Sequence, residues 1–276
     1  MQNESFAKKL RRGIQKRSTD LFKNPYKAVN LSWLKLKYYK HLPPGKLRAH
    51  RLFGKLVYFY SPAEFLHGLH EIFISKIYDQ QFDKRPYIID CGANIGLSII
   101  YVKQRYPEAE ILAFEPDEKN SDLLYRNINS FGYDNITIRK EAVWNENTIL
   151  KFSNQGSMSS RIQYDNSTNF KEVKATRLRD LIDRTVDFLK IDIEGAEFTV
   201  LSDLGEKLNF VKNLFVEYHG HFAQNAELTK LFAIFSEHGF TYYIKEAAPV
   251  YDTPFSRKKN PQIDFDIQLN IFCFRL

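Results

Sequence analysis

A chain of 276 residues with 43% hydrophobic and 15% aromatic residues can bury one large core, which excludes a wholly disordered protein. Its net charge of +7 is uneven: the first 51 residues hold 14 Lys and Arg against Glu4 and Asp20, so this extension carries +12 and the remainder −5. A mildly acidic body lacks the broad basic footprint that phosphates require, so nucleic acid is not an expected partner.

In the extension, Phe6, Leu10 and Ile14 recur every fourth residue among Lys8, Lys9, Arg11, Arg12, Lys16 and Arg17. This spacing predicts a helix with a narrow apolar stripe and a basic face, suited either to an anionic membrane surface or to folding back on the acidic body. No apolar run approaches the roughly 20 residues that cross a bilayer, and the N-terminus lacks an apolar signal core. Membrane contact is therefore expected to be peripheral and the setting cytoplasmic. Residues 1–50 read as the extension, 51–85 as a strand and helix leading in, and 86–276 as the main domain. In the lead-in, KLVYFYSPAEFLHGLHEIFISKIY predicts a short strand, a turn at Ser61-Pro62 and an amphipathic helix.

From Pro86 onward the pattern alternates. YIID is a strand, GLSIIYVKQRYP a helix ended by Pro107, EILAFEP a strand, and DEKNSDLLYRNINSFG a helix opened by acids and closed by Gly132. NITIRKEAVW reads as a third strand. After a Ser-rich interval, VDFLKIDIEG and NLFVEYHG are a fourth and a fifth, separated by the helical AEFTVLSDLGEKL. Strands alternating with helices predict an α/β fold with a parallel sheet, whose ligand sits at the carboxyl ends of the strands. The tail differs: FTYYIKEAAPVYD and DIQLNIFCFRL have no helix between them and predict a hairpin at the sheet edge.

In that arrangement Asp90, Glu115, Asp192 with Glu194, and Glu217 end four of the strands and share one edge. Gathering carboxylates there is costly unless donors or a cation meet them. The turn DCGANIG follows Asp90, and Glu115 lies 19 residues beyond Gly96, close to the interval of about 20 at which an acid meets ribose hydroxyls. A dinucleotide site would prefer Gly-x-Gly-x-x-Gly; here Asn94 takes the middle position and Asp90 would repel a pyrophosphate. A nicotinamide-dependent oxidoreductase is thereby disfavoured, and an acidic tip suits a cofactor with a cationic or amino-acid end.

DCGANIG, AFEPD, EAVWNE and, above all, FLKIDIEGAEFTVL followed by LFVEYH resemble the FkbM family of S-adenosylmethionine-dependent methyltransferases. The resemblance runs from about Tyr87 to the C-terminus. It implies a Rossmann-like fold, a mostly parallel seven-stranded sheet with an antiparallel C-terminal strand. It also implies methyl transfer from S-adenosylmethionine, usually to a hydroxyl of a sugar, glycoconjugate or polyketide-like acceptor. By the same resemblance Asp90, Gly92, Asn94 and Gly96 would surround the methionine moiety, Glu115 the ribose, and Ala142 would lie near the adenine.

Methyl transfer needs an acceptor held in line and relieved of its proton. Asp192 and Glu194 lie at the mouth of the fourth strand, beside the expected methyl, and Glu217, His219 and His221 at that of the fifth. Glu194 and His219 are the candidate general bases, with His favoured by intrinsic pKa. Asp192 with Glu217 would alternatively hold Mg²⁺; a plainer reading makes these acids helix caps and anchors of the adenosine side. Glu197 reads as a helix-dipole residue, Lys190 as an ion-pair partner, Cys91 as core, and the aromatic run from Trp33 to Tyr39 as packing. SNQGSMSSRI, with Arg161, is a candidate substrate loop. The rival of another class is a non-catalytic interaction protein that uses the basic arm at a membrane.

Overall fold

The computed structural model describes residues 24–153, 170–260 and 263–276. The basic helix expected from Phe6 to Arg17 and the candidate substrate loop with Arg161 lie outside them. Described residues up to Asp79 pack as one unit and those from Gln80 as another.

In the first unit, helix α1 (Trp33–Lys40) starts at Ser32, whose side chain accepts the Lys35 N–H at 3.2 Å. Strands β1 (Arg48–Leu52) and β2 (Lys55–Phe59) form a two-residue hairpin through Phe53 and Gly54. The β1 sequence RAHRL is mostly polar, so the hairpin is not legible in its pattern; His50 is nevertheless fully buried and donates from Nε2 to the Val29 carbonyl at 2.7 Å. The boundary expected near residue 50 falls inside β1. Ser61-Pro62 is a helix start rather than a separate turn: Ser61 caps α2 (Pro62–Gly68), which runs on into a wider turn over Leu69–Ile74. Phe59 and Phe65 stack with ring centroids 4.0 Å apart, and Tyr39 packs edge-on against both.

The second unit holds β3 (Tyr87–Cys91), α3 (Leu97–Arg105), β4 (Glu110–Phe114), α4 (Glu118–Phe131) and β5 (Ile136–Arg139). Strands β6 (Ala142–Trp144), β7 (Thr148–Ser153) and β8 (Phe170–Arg177) follow. Then come β9 (Val186–Ile191), α5 (Glu197–Leu204), β10 (Val211–Gly220) and α6 (Asn225–Glu237). The chain finishes with β11 (Thr241–Glu246), the short β12 (Tyr251–Thr253) and β13 (Lys258–Lys259), and β14 (Ile267–Phe274).

Seven of these strands form the main sheet in the order β11-β14-β10-β9-β3-β4-β5. All run parallel except β14, which is antiparallel to both neighbours. The expected tail hairpin is present, with β14 inserted between β10 and the edge strand β11. NITIRKEAVW, expected as one strand, divides at Lys140-Glu141: β5 stays in the main sheet and β6 enters a second sheet, β6-β8-β7. This smaller sheet packs Ala142, Trp144, Leu150, Val173 and Ala175 against Ala196.

Alternation divides the main sheet into two faces. Ile89, Cys91, Leu189, Ile191, Leu214, Val216, Tyr218, Ile271 and Cys273 join α5 and α6 residues such as Val200, Leu204, Leu231 and Phe235 in the principal core. Asp90, Lys190, Glu217, His219 and Asn270 alternate with them and carry the polar groups, with Phe215 on the same face. Asp117 caps α4 by accepting the Asn120 N–H at 2.9 Å, and Gly132 closes the helix, as expected. No helix among the described residues is long and apolar enough to cross a membrane.

Candidate active site

The polar groups converge where β3, β4, β9 and β10 end. Asp90 is 3% exposed; its Oδ2 accepts from Ser98 Oγ at 2.5 Å, and its Oδ1 faces Lys190 Nζ at 3.2 Å. Lys190, also buried, bridges to Asp192 Oδ2 at 3.2 Å and donates to the Gly92 carbonyl at 2.7 Å. One ammonium thus ties two strand ends to the glycine turn, confirming the ion-pair reading of Lys190. Burial raises the Asp192 pKa, with the Lys190 charge opposing.

Gly92, Asn94 and Gly96 all have positive φ, at 87°, 47° and 88°. The space beside both glycines is filled by the protein itself. A Cβ on Gly92 would stand 1.9 Å from the Asp192 carbonyl oxygen; one on Gly96 would stand 2.6 Å from Leu124 Cδ1. Gly92→Ala is expected to cost at least about 2 kcal/mol, because the left-handed backbone and a backbone oxygen both resist it. Gly96→Ala should cost less, since a leucine methyl can move. Thermal unfolding of the two variants gives the order, and equal losses would contradict it.

Glu115 follows β4 and is 6% exposed. It accepts the backbone N–H of Asn94 at 2.8 Å and of Asp117 at 2.9 Å, so it spans from its own strand end to the glycine turn. Burial pushes its pKa up to about 7 against the pull of those hydrogen bonds. Ala142 is buried in the second sheet's apolar cluster, and Cys91 is a fully buried core thiol whose pKa burial raises.

At the mouth of β9 and β10 the side chains surround His219. Its Nδ1 is 3.1 Å from Glu197 Oε1, and its Nε2 is 3.6 Å from Glu217 Oε1 and 3.7 Å from Glu194 Oε2. Burial alone would favour the neutral ring, but the Glu197 hydrogen bond and the Glu217 and Glu194 carboxylates raise its pKa well above the ordinary value. Intrinsic pKa alone therefore does not describe this ring, whose affinity for a proton is set by the three surrounding carboxylates. Burial pushes Glu194 up to about 8, opposed by the His219 charge. Glu194 (φ 55°) and Gly195 (φ 99°) form the tight turn into α5.

Glu197 does more than complement a helix dipole. Fully buried, it accepts the N–H of Gly195 at 3.0 Å and of Ile193 at 3.3 Å while holding the His219 ring. The sequence signal is its spacing: a further acid three residues after Glu194, inside the same turn. Phe265 escapes sequence reasoning altogether, since it arrives from the loop before β14. Its ring lies 4.8 Å from that of His219 and 3.4 Å from where a Cβ on Gly195 would stand. His221 lies farther out, 3.4 Å from Asp266 Oδ2.

A mostly parallel seven-stranded sheet with a reversed last strand, and acids along its carboxyl edge, is the architecture expected of a Rossmann-like methyltransferase. The Methyltransferase FkbM domain matches residues 90–242, and the chain belongs to the FkbM methyltransferase family. It is 30% identical to Methyltransferase 1 of Beauveria bassiana, over 56% of this chain and 72% of that protein. It is 29% identical to Methyltransferase sdnD of Sordaria araneosa, over 53% and 72%. A solved structure of Methyltransferase FkbM from Methylobacillus flagellatus aligns with TM-score 0.48 and 17% identity, over 70% of this chain and 44% of that one.

Proposed function

We propose that the chain is an S-adenosylmethionine-dependent O-methyltransferase acting on a hydroxyl of a small-molecule acceptor, a sugar, glycoconjugate or polyketide-like compound. The observation that carries the reading is Glu115: a buried carboxylate at the second strand end, each of whose oxygens accepts one backbone N–H and keeps a further lone pair of the kind a ribose diol uses. When bound, the cofactor supplies an activated methyl on a sulfonium. Glu115 would hold the ribose, and Asp90, Gly92, Asn94 and Gly96 the methionine end. Ala142 would lie toward the adenine and Asp192 beside the methyl. The cluster of Glu194, Glu217 and His219 would position the acceptor hydroxyl and take up its proton.

Titration calorimetry with S-adenosylhomocysteine tests the cofactor, and a methyl transfer assay on a panel of glycosides and polyketide alcohols tests the acceptor. Micromolar binding and transfer of labelled methyl to oxygen are expected. Absence of binding, or tight binding of a nicotinamide dinucleotide instead, would overturn the reading.

A peripheral association with an anionic, cytoplasmic membrane face belongs to the same proposal. It is supported by Trp33, Leu34 and Tyr38, exposed on α1 among Lys35, Lys37 and Lys40. Co-sedimentation with phosphatidylserine vesicles should fall for Leu34→Ser; retention in solution by the unaltered chain would dismiss it.

A further inference from the structure

We infer that Asp192, Glu194 and His219 form a binding site for a divalent metal ion, a deeper account of the methyltransferase reading on which it rests. One oxygen of each carboxylate and one nitrogen of the ring all lie within 4.8 Å of one another. Ligand atoms around one small divalent ion stand about 3–4 Å apart, so a contraction on the order of 1 Å closes the set.

The ring is oriented for this task. Glu197, fully buried and fixed by the Gly195 and Ile193 N–H groups, holds Nδ1. Nε2 is thereby turned toward Glu194 and Glu217, yet their oxygens stand at 3.7 Å and 3.6 Å, beyond hydrogen-bond distance. A carboxylate behind one ring nitrogen, with the other aimed at further carboxylates, is how proteins fix a metal-binding imidazole. A separate observation comes from β14: Asn270 lies directly across from Glu217, is 2% exposed, and its Oδ1 has no hydrogen-bond partner among the described residues. Opposed residues of an antiparallel pair share a face, so this unmet oxygen belongs to the same side of the sheet as Glu217 and His219.

The expectation of Asp192 with Glu217 as ligands is thus altered. Glu217 is not one of the three converging residues; it stands beside them. An acceptor hydroxyl bound to the ion would become more acidic and release its proton to Glu217, while its oxygen forms the new bond to the methyl carbon and the sulfur keeps the electron pair of the broken one.

Mn²⁺ is the probe. Electron paramagnetic resonance of the full chain, titrated with Mn²⁺, should show loss of the free-ion signal at one ion per chain, with nitrogen modulation in the spin echo from the His219 ring. Glu194→Gln should weaken retention at least about 10-fold, and Glu118→Gln, on the exposed side of α4, should leave it unchanged. Glu194 is partly exposed, so its variant is suited to folding, and circular dichroism checks that it does. No retained Mn²⁺, retention unchanged in Glu194→Gln, or a bound ion without nitrogen coupling would each overturn the inference. Calorimetry with S-adenosylhomocysteine in metal-free buffer keeps the two readings separate: cofactor binding without Mn²⁺ retention removes the metal and leaves the methyltransferase.

Discussion

Replacing Lys190 by methionine is expected to destabilise the fold by about 3–5 kcal/mol, the usual consequence of removing one partner from a buried ion pair. The ammonium is the shared counter-charge of Asp90 and Asp192, each 3.2 Å away, and its side chain is 5% exposed. Methionine fills much of the same volume, so the loss would report charge rather than a cavity. It would also release the Gly92 carbonyl and loosen the turn that Glu115 grips from the other side. Urea unfolding measures the loss. Adding Asp90→Asn to the same chain should recover part of it, since the most buried uncompensated charge is then gone. A loss below about 1 kcal/mol, or none recovered by the second substitution, would show that the ammonium does not carry these carboxylates.

Glu115→Gln is expected to lower affinity for S-adenosylhomocysteine by about 10–100-fold, the equivalent of a charge-assisted hydrogen bond of roughly 1.5–3 kcal/mol. The pH dependence is the sharper test. Because the free carboxyl titrates at about 7, binding to its ionised form should strengthen as pH rises toward 7 and level off above it. Glu115→Gln should abolish that slope. The same raised pKa acts in the opposite sense on stability: folding favours the protonated form, so this contribution is lost as pH climbs from the ordinary carboxylate range through about 7. Calorimetry between about pH 5.5 and 8.5 decides the matter; affinity independent of pH would mean that Glu115 does not meet the ligand.

Periodicity made most of the main sheet legible. YIID, EILAFEP, VDFLKIDIEG and NLFVEYHG are apolar runs of strand length ending in acids, and their parallel alignment with helices between them places those acids on one edge. Three parts were hidden for separate reasons. Strands β7 and β8 flank the Ser-rich interval and give the small sheet's cluster Leu150, Val173 and Ala175, too few apolar positions, and too irregularly spaced, to stand out as a strand pattern. The hairpin strand β1 buries a histidine, a residue that patterns read as exposed. The surroundings of His219 are built from Glu194, Glu197 and Glu217, whose distances from the ring no spacing rule supplies. The glycines of DCGANIG mark a turn in the sequence, yet the atoms that demand glycine at position 92 belong to Asp192, a hundred residues away in the chain.

The position of β14 between β10 and β11 has a kinetic consequence. Both neighbours precede it in the chain, so β10 presents an unpaired edge and β11 has nothing to join until β14 inserts. The pairing of Glu217 with Asn270 must bridge about fifty intervening residues, a closure that slows folding. Without β14 the histidine and its carboxylates would be open to water, since that strand places Asn270 beside Glu217 and the loop before it brings Phe265 against His219. Desolvation of the site is thus tied to the insertion of one strand, so a substitution that weakens the β10–β14 pairing would wet the histidine cluster as well as open the sheet edge.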